Sequence, residues 1–279
     1  MSIFDQKVIK YEMKPLSSLE KVFPDETPVY RMECQMLSGL WGETVSFQVA
    51  YTGDFVMRER LDVRVVSELA EHVHVRTVEM VPVGRATNGI VDDNYLKTIS
   101  GLYPDLLKDL KDGKVIVYSH QWRSLWVDVD ITNEIPAGEY EIELQLIKEG
   151  EVVCSAKQKV TVIGTELPKL DIMHTEWMHA DCLADYYHVE VFSEEHWKLL
   201  GNYFQEYVKR DCNMMLTPLF TSPLDTAIGL ERTTCQLIDV EVRDGEYVFG
   251  FEKLKRWIDL CKKCGIEYFE MSHLFSQWG

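Results

Sequence analysis

Apolar and polar residues alternate with period two through much of the first 163 positions. Val45, Phe47, Val49 and Tyr51 interleave with polar neighbours, as do Leu61, Val63 and Val65. The period returns at Leu125, Val127, Val129 and Ile131, and again at Tyr140, Ile142, Leu144 and Leu146. Successive strand side chains point to opposite faces, so this pattern predicts strands with one buried and one wet face. An antiparallel β-sandwich over residues 27–163 follows, with residues 1–26 as an N-terminal extension. Pro136-Ala137-Gly138 and Lys148-Glu149-Gly150 supply turns between the later strands. From Arg85 to Gly113 the alternation lapses. Asn88-Gly89, Asp92-Asp93-Asn94 and Tyr103-Pro104-Asp105 predict a long loop there, extended enough to reach a neighbouring domain.

The period changes after residues 164–169, a linker containing Pro168. Leu170 to Met173 predicts a short apolar strand. Ser193 suits a helix N-cap, and Trp197, Leu200, Phe204 and Val208 recur at the spacing of one helix face. Met214 to Leu219 predicts a second strand. Gln236 to Val242 and Glu246 to Phe249, joined at Asp244-Gly245, predict an inserted hairpin. Phe251, Leu254, Trp257, Ile258 and Cys261 mark a second amphipathic helix ending at Gly265, and Ile266 to Met271 a third strand. Such an array is not a closed architecture. It predicts that residues 170–279 form the first three strands of an incomplete (β/α)8 barrel, with further units expected beyond Gly279.

Bulk properties narrow the function. The 279 residues carry 46 acidic and 29 basic side chains, a formal net charge of −17. That field repels phosphate backbones and anionic lipid, so nucleic acid and membrane are not the expected partners. The first seven residues lack the apolar core of a signal peptide, and no apolar run approaches a membrane span. Seven cysteines at irregular spacing suit reduced thiols, and the expected compartment is cytoplasmic.

Three predicted strand ends carry candidate chemistry, because βα proteins bind ligands at the C-terminal mouth of their strands. The first holds His174, Glu176, Trp177, His179 and Asp181. His174, His179 and Asp181 suit metal ligation by type, but their spacing matches no tight metal motif, and hydrogen bonding in a polar cleft is the stronger reading. In the second, Asp225 either accepts from a sugar hydroxyl or caps its Pro-rich loop; Arg232 is either a ligand contact or part of a surface ion pair. The third holds His273, Gln277 and Trp278. Indole rings cover the C–H face of a pyranose while amides and imidazoles bond its hydroxyls, so Trp177, Trp278, His273 and Gln277 suggest carbohydrate. Trp278 is equally explained by its place beside the last residue. Cys261-Lys262-Lys263-Cys264 has redox spacing at the wrong end of a helix and is read as structural. Asp25-Glu26 is read as a solvated turn.

The runs Trp177 to Tyr187, Leu219 to Thr226 and Phe269 to Gly279 resemble the catalytic domain of glycoside hydrolase family 123. Gly101 to Asp105, Trp126 to Val129 and Ile135 to Tyr140 are similar to that family's accessory β-sandwich. The resemblance implies a barrel acting on β-linked N-acetylgalactosamine by a substrate-assisted mechanism without cofactor. There the 2-acetamido oxygen attacks the anomeric carbon, an aspartate steadies the acetamido group, and the adjacent glutamate protonates the leaving oxygen. No adjacent Asp-Glu follows Leu170 in this sequence, so no catalytic residue is carried over. Trp177, His179, Asp181, Asp225, His273, Gln277 and Trp278 are carried over as substrate-binding candidates. The expectation is a glycosidase portion without activity of its own, with a non-catalytic carbohydrate-binding or interaction module as the alternative and a metal-dependent hydrolase behind it. An open sheet edge after Leu170 predicts self-association.

Overall fold

The computed structural model describes residues 10–28, 36–54, 58–87, 89–169, 171–220 and 231–272. The chain divides into two compact units, Met1–Pro168 and Lys169–Gly279.

Ten strands build the first unit: β1 Lys10–Ser17, β2 Met36–Trp41, β3 Thr44–Asp54, β4 Glu59–Val66, β5 Val73–Val83, β6 Gly101–Asp109, β7 Lys114–Val117, β8 Arg123–Asp130, β9 Gly138–Lys148 and β10 Glu151–Glu166. They form two five-stranded sheets, ordered β1-β3-β8-β5-β6 and β2-β10-β9-β4-β7. The alternating residues named above supply the common core. Phe47, Val49, Leu125, Val127 and Val129 from one sheet meet Leu61, Ile142, Leu144 and Leu146 from the other, all at 1% exposure or less. On the outer face of the first sheet, Asp128 ties three strands together. Its carboxylate accepts from Ser46 Oγ on β3 (2.6 Å) and Trp126 Nε1 on β8 (2.7 Å) and pairs with Arg76 of β5.

Five expectations change here. Residues 1–26 are not merely an extension, since Lys10–Ser17 pairs antiparallel with β3. That strand reads poorly because Pro15 and the lysines interrupt its apolar period. Strand β3 is buried on both faces. Leu16, Val22, Ala50 and Trp122 make a second small core behind it. Within this layer, buried Gln48 donates to the carbonyls of Ser17, Ser18 and Glu20 and accepts from Ser124 Oγ. Tyr103-Pro104-Asp105 lies in strand β6 rather than a loop; β6 is an edge strand with a bulge opposite Glu79/Met80, where a proline is tolerated. The sheets are not wholly antiparallel either: β2 pairs with β10 in parallel, and β10 runs to Glu166, into the residues read as linker.

The second unit contains helices α1 Ala180–Tyr187, α2 Glu194–Val208 and α3 Glu252–Cys264, with strands β11 Met214–Thr217, β12 Asp239–Arg243, β13 Glu246–Gly250 and β14 Tyr268–Met271. Ser193 caps α2 by accepting from the His196 amide (3.2 Å). The hairpin β12–β13 turns at Asp244 (φ 52°) and Gly245 (φ 86°), two consecutive left-handed residues as a tight two-residue hairpin requires. Gly265 (φ 107°) ends α3 and returns the chain through Ile266 into β14. Strands β11 and β14 pair in parallel, and α3 lies on the connection between them. Leu200, Phe204, Met215, Leu237, Trp257 and Cys261, all fully buried, form the core. Cys264 donates to the Gly201 carbonyl (3.8 Å), and burial pushes both the Cys261 and Cys264 thiols up, as structural cysteines require.

The expected strand at Leu170–Met173 does not form among the described residues 171–173. The Asn213 side chain stands in for its ladder: Oδ1 accepts from the His174 amide (2.8 Å) and Nδ2 donates to the Ile172 carbonyl (2.8 Å). The His174 carbonyl then accepts from the amides of Asn213 and Met214. Point contacts hold the segment beside β11 without the repeated pairing that defines a strand. Among the described residues no helix is long and apolar enough to cross a membrane.

Candidate functional site

The C-terminal ends of β11 and β14 lie side by side, with Thr217 opposite Met271. The chain from His174 to Asp181 starts beside the first residue of β11, where the His174 carbonyl accepts from the Asn213 and Met214 amides, and leads into α1. Tyr207 of α2 fixes its path: the hydroxyl accepts from the Glu176 amide (2.6 Å) and lies 2.7 and 2.8 Å from the carbonyls of Glu176 and Met214, with Thr175 Oγ1 at 3.3 Å. Burial pushes the Tyr207 phenol pKa up, so the group remains a neutral donor.

Beyond this clamp, Trp177 donates its indole N–H to Glu270 Oε2 (3.0 Å). Trp177 is 48% exposed, so the carboxylate fixes the ring while much of its surface stays open to a ligand. Glu270 is the third residue of β14, and the sequence offered no sign that it would hold Trp177. Ser272, just past β14, is buried; its amide donates to the Thr217 carbonyl, and its Oγ lies 3.4 Å from both the amide N and the carbonyl O of Phe220.

His179 occupies the N-cap position of α1 with an extended backbone (φ −99°, ψ 111°) and makes no side-chain cap. Asp181, in the first turn, is buried. Both its oxygens are occupied by the Arg232 guanidinium, Oδ2 from Nε at 2.5 Å and Oδ1 from Nη2 at 2.9 Å. One turn further, Asp185 accepts from Thr233 Oγ1 at 2.8 and 3.0 Å. The four-residue spacing puts both carboxylates on one face of α1, where they tie it to the segment leading into β12. Of the two readings of Arg232, ligand contact or surface ion pair, the structure shows an ion pair, bidentate and with only 13% and 8% of the two side chains exposed. It gives Asp181 a structural partner and removes it from any set of metal ligands with His174 and His179. His174 points elsewhere, its Nδ1 3.2 Å from the Asp211 carbonyl and its Nε2 3.5 Å from Glu176. Among the described residues no group of three or more His, Cys, Asp or Glu is placed to hold a metal ion.

Helix α1 itself was not legible in the sequence. Its eight residues are too short for a firm period. His196, fully buried on α2, locks it in place: Nδ1 accepts from the Phe192 amide (2.9 Å), so Nε2 carries the proton and donates to the Ala180 carbonyl (2.9 Å). Burial lowers the His196 pKa. Of the substrate-binding candidates, the structure places Trp177 against Glu270 of β14, and His179 and Asp181 at the start of α1. Asp225, His273, Gln277 and Trp278 lie outside the described residues.

Comparison with known proteins bears on this region. Residues 177–279 match the family described as glycoside hydrolase 123, catalytic domain. A family 123 glycoside hydrolase from Clostridium perfringens, analysed for the details of glycolipid glycan hydrolysis, superposes with a TM-score of 0.70 at 13% identity, covering 94% of this chain and 48% of that one. The chain thus spans about half the length of that hydrolase, and at this identity the likeness is one of fold. A β-glucosidase from Listeria innocua in complex with isofagomine matches at a TM-score of 0.26 and 10% identity, over 57% of this chain and 17% of its own. No curated protein matches the chain by sequence.

Two outcomes are expected. Replacing Arg232→Met leaves Asp181 buried without its counter-charge and destabilises the second unit by about 3–5 kcal/mol in urea unfolding, most of it recovered by adding Asp181→Leu. His196 binds its proton less readily folded than unfolded. Its contribution is therefore intact above the ordinary histidine value of about 6.5 and is lost as pH falls through the lower folded value. Stability of the wild type should drop between pH 7 and 5 by more than that of His196→Gln, whose amide also accepts and donates; equal slopes would refute the assignment.

Proposed function

We propose, from the match of residues 177–279 to the glycoside hydrolase 123 catalytic domain, that this chain contributes a substrate-facing wall of such a domain but does not hydrolyse glycosides by itself. The first unit is then a β-sandwich accessory domain, and β11 and β14 are neighbouring strands of a (β/α)8 barrel. The observation that carries the reading is the Trp177–Glu270 contact at the C-terminal end of a parallel strand pair, where barrel enzymes hold their substrates. A fixed, half-open indole suits the C–H face of a pyranose. The substrate class is a β-linked N-acetylgalactosaminide, the sugar of the family resemblance, and glycolipid glycans of the kind handled by the Clostridium perfringens enzyme fit it.

The proposal of inactivity rests on the chemistry of that mechanism. A substrate-assisted reaction needs one carboxylate on the acetamido group and an adjacent acid for the leaving oxygen, and no Asp-Glu neighbours occur after Leu170 in this sequence. Among the described carboxylates at the site, Asp181 is committed to Arg232, and Glu270 Oε2 to Trp177. A second reading, a carbohydrate-binding module with no catalytic role anywhere, rests on the same exposed Trp177.

Purified chain should give no turnover of an aryl β-N-acetylgalactosaminide, and measurable hydrolysis would overturn the inactive assignment. In calorimetry, N-acetylgalactosamine should give saturable heat that Trp177→Ala lowers by about tenfold in affinity, the scale of a lost aromatic anchor. We further propose that residues after 170 mediate self-association, because Val240, Val242, Tyr247 and Phe249 of the β12–β13 hairpin are exposed apolar residues on a two-stranded sheet. Light scattering should show a mass above 32.5 kDa; a clean monomer at high concentration would count against it.

A further inference from the structure

A second site candidate lies in the first unit. A cleft of about 740 Å³ opens between the β5–β6 side of one sheet and the β4–β7 side of the other, within the size range of small-ligand sites, about 300–1,000 Å³. In a chain of net charge −17, its walls are basic: Arg58, Arg60, Lys108, Lys111, Lys114 and Arg123 against three carboxylates.

Pairing sharpens the asymmetry. Arg60 is bound to Asp112 (2.9 Å) and Lys114 to Asp62 (2.5 Å). Arg58, Lys108, Lys111 and Arg123 form no ion pair with a described carboxylate. Of the acids on the wall, Glu59 is already engaged by Lys148 (2.9 Å) and by the Tyr11 hydroxyl, which leaves Glu79 and Asp109. Arg123 is also oriented in advance. Its guanidinium lies over the Tyr118 ring, 5.0 Å from the centroid, and Nη2 donates to Gln121 Oε1 (3.1 Å). Its Nε is buried with no acceptor among the described residues. Stacking and an amide hold this guanidinium in place without neutralising it, as an anion-binding arginine needs.

We propose that this cleft binds an anionic oligosaccharide through its sulfate or carboxylate groups. The glycan class rests on the carbohydrate reading above; the anionic character rests on the cleft alone. A long polyanion such as nucleic acid would run from the cleft onto an acidic surface, which opposes it, whereas a ligand of two or three sugars stays within the basic walls. Binding here would hold an acidic glycan on the first unit, independently of Trp177.

Calorimetry on the whole chain tests the assignment with four probes: a heparin tetrasaccharide, a hyaluronan tetrasaccharide, N-acetylgalactosamine and the oligonucleotide dT12. The heparin tetrasaccharide should bind one to one, weaken with added salt, and lose affinity by about threefold to fivefold in Lys108→Gln, the scale of one exposed ion pair. Arg123→Gln should lose more. Because Arg123 also packs on Tyr118, exposed Lys108 provides the variant that leaves folding unaffected. Hyaluronan binding as well would place recognition on carboxylates, and its absence on sulfates; both support an anionic site. Equal affinity for dT12 would overturn the glycan assignment. Anionic probes that fail while N-acetylgalactosamine binds would overturn this site and leave the Trp177 reading standing. Tight heparin binding unchanged in both variants would also overturn it.

Discussion

Two parallel strands of four residues each, β11 and β14, cannot bury themselves. Parallel pairs need cover, and most of the second unit is arranged to supply it. Helices α2 and α3 bring Trp197, Leu200, Phe204, Trp257 and Cys261 into one core with Met215. Phe204 and Trp257 meet edge to face at 5.0 Å, and Trp257 reaches Trp197 at 6.5 Å. The positions of Glu176 and Trp177 follow from that packing. Tyr207 leaves the same helix as Phe204 and anchors Glu176; Trp177 then meets Glu270. His196, one position before Trp197, reaches back to hold α1. A core formed for burial thus sets the positions of exposed side chains one or two residues away.

Charge is distributed with a similar division of labour. Several of the 46 acidic residues form exposed ion pairs, such as Glu194 with Arg256, which add little stability. Two places depart from that average. At Asp181–Arg232 the pair is buried and closes a helix against its neighbouring segment. In the first-unit cleft, Arg58, Lys108, Lys111 and Arg123 stand without a carboxylate partner among the described residues. Both departures join residues far apart in the chain, 51 positions in the first case and dozens in the second. Composition could report only the acidic mean.

Much of the fold was written plainly in local pattern. The period-two stretches at Val45–Tyr51, Leu125–Ile131 and Tyr140–Leu146 became β3, β8 and β9, and the Ser193 cap and Gly265 stop bounded α2 and α3. What stayed hidden lay in non-local pairing. Lys10–Ser17 is a strand because β3 offers an edge and a second layer, which no window of eight residues reveals. Leu170–Met173 has strand composition, yet Asn213 satisfies its neighbours at single points and no ladder forms in the described part. Among site residues, Trp177 was legible as an exposed aromatic near a strand end. Glu270, its partner, was not, because a single acid in a strand carries no sign of what lies across from it. Arg232 and Asp181 were each singled out, but only the fold joined them.

The parallel pairing of β2 with β10 has a consequence for how the chain is made. Met36 is hydrogen-bonded alongside Lys159, 123 residues later. A ribosome adds about 5–20 residues per second, so β2 waits on the order of ten seconds before its partner exists. During that interval the edge β10 will occupy stands open, and the first unit cannot close until almost all of it has been synthesised. Its assembly is thus a late, long-range event, gated by the arrival of Lys159 to Ile163 rather than by any local hairpin.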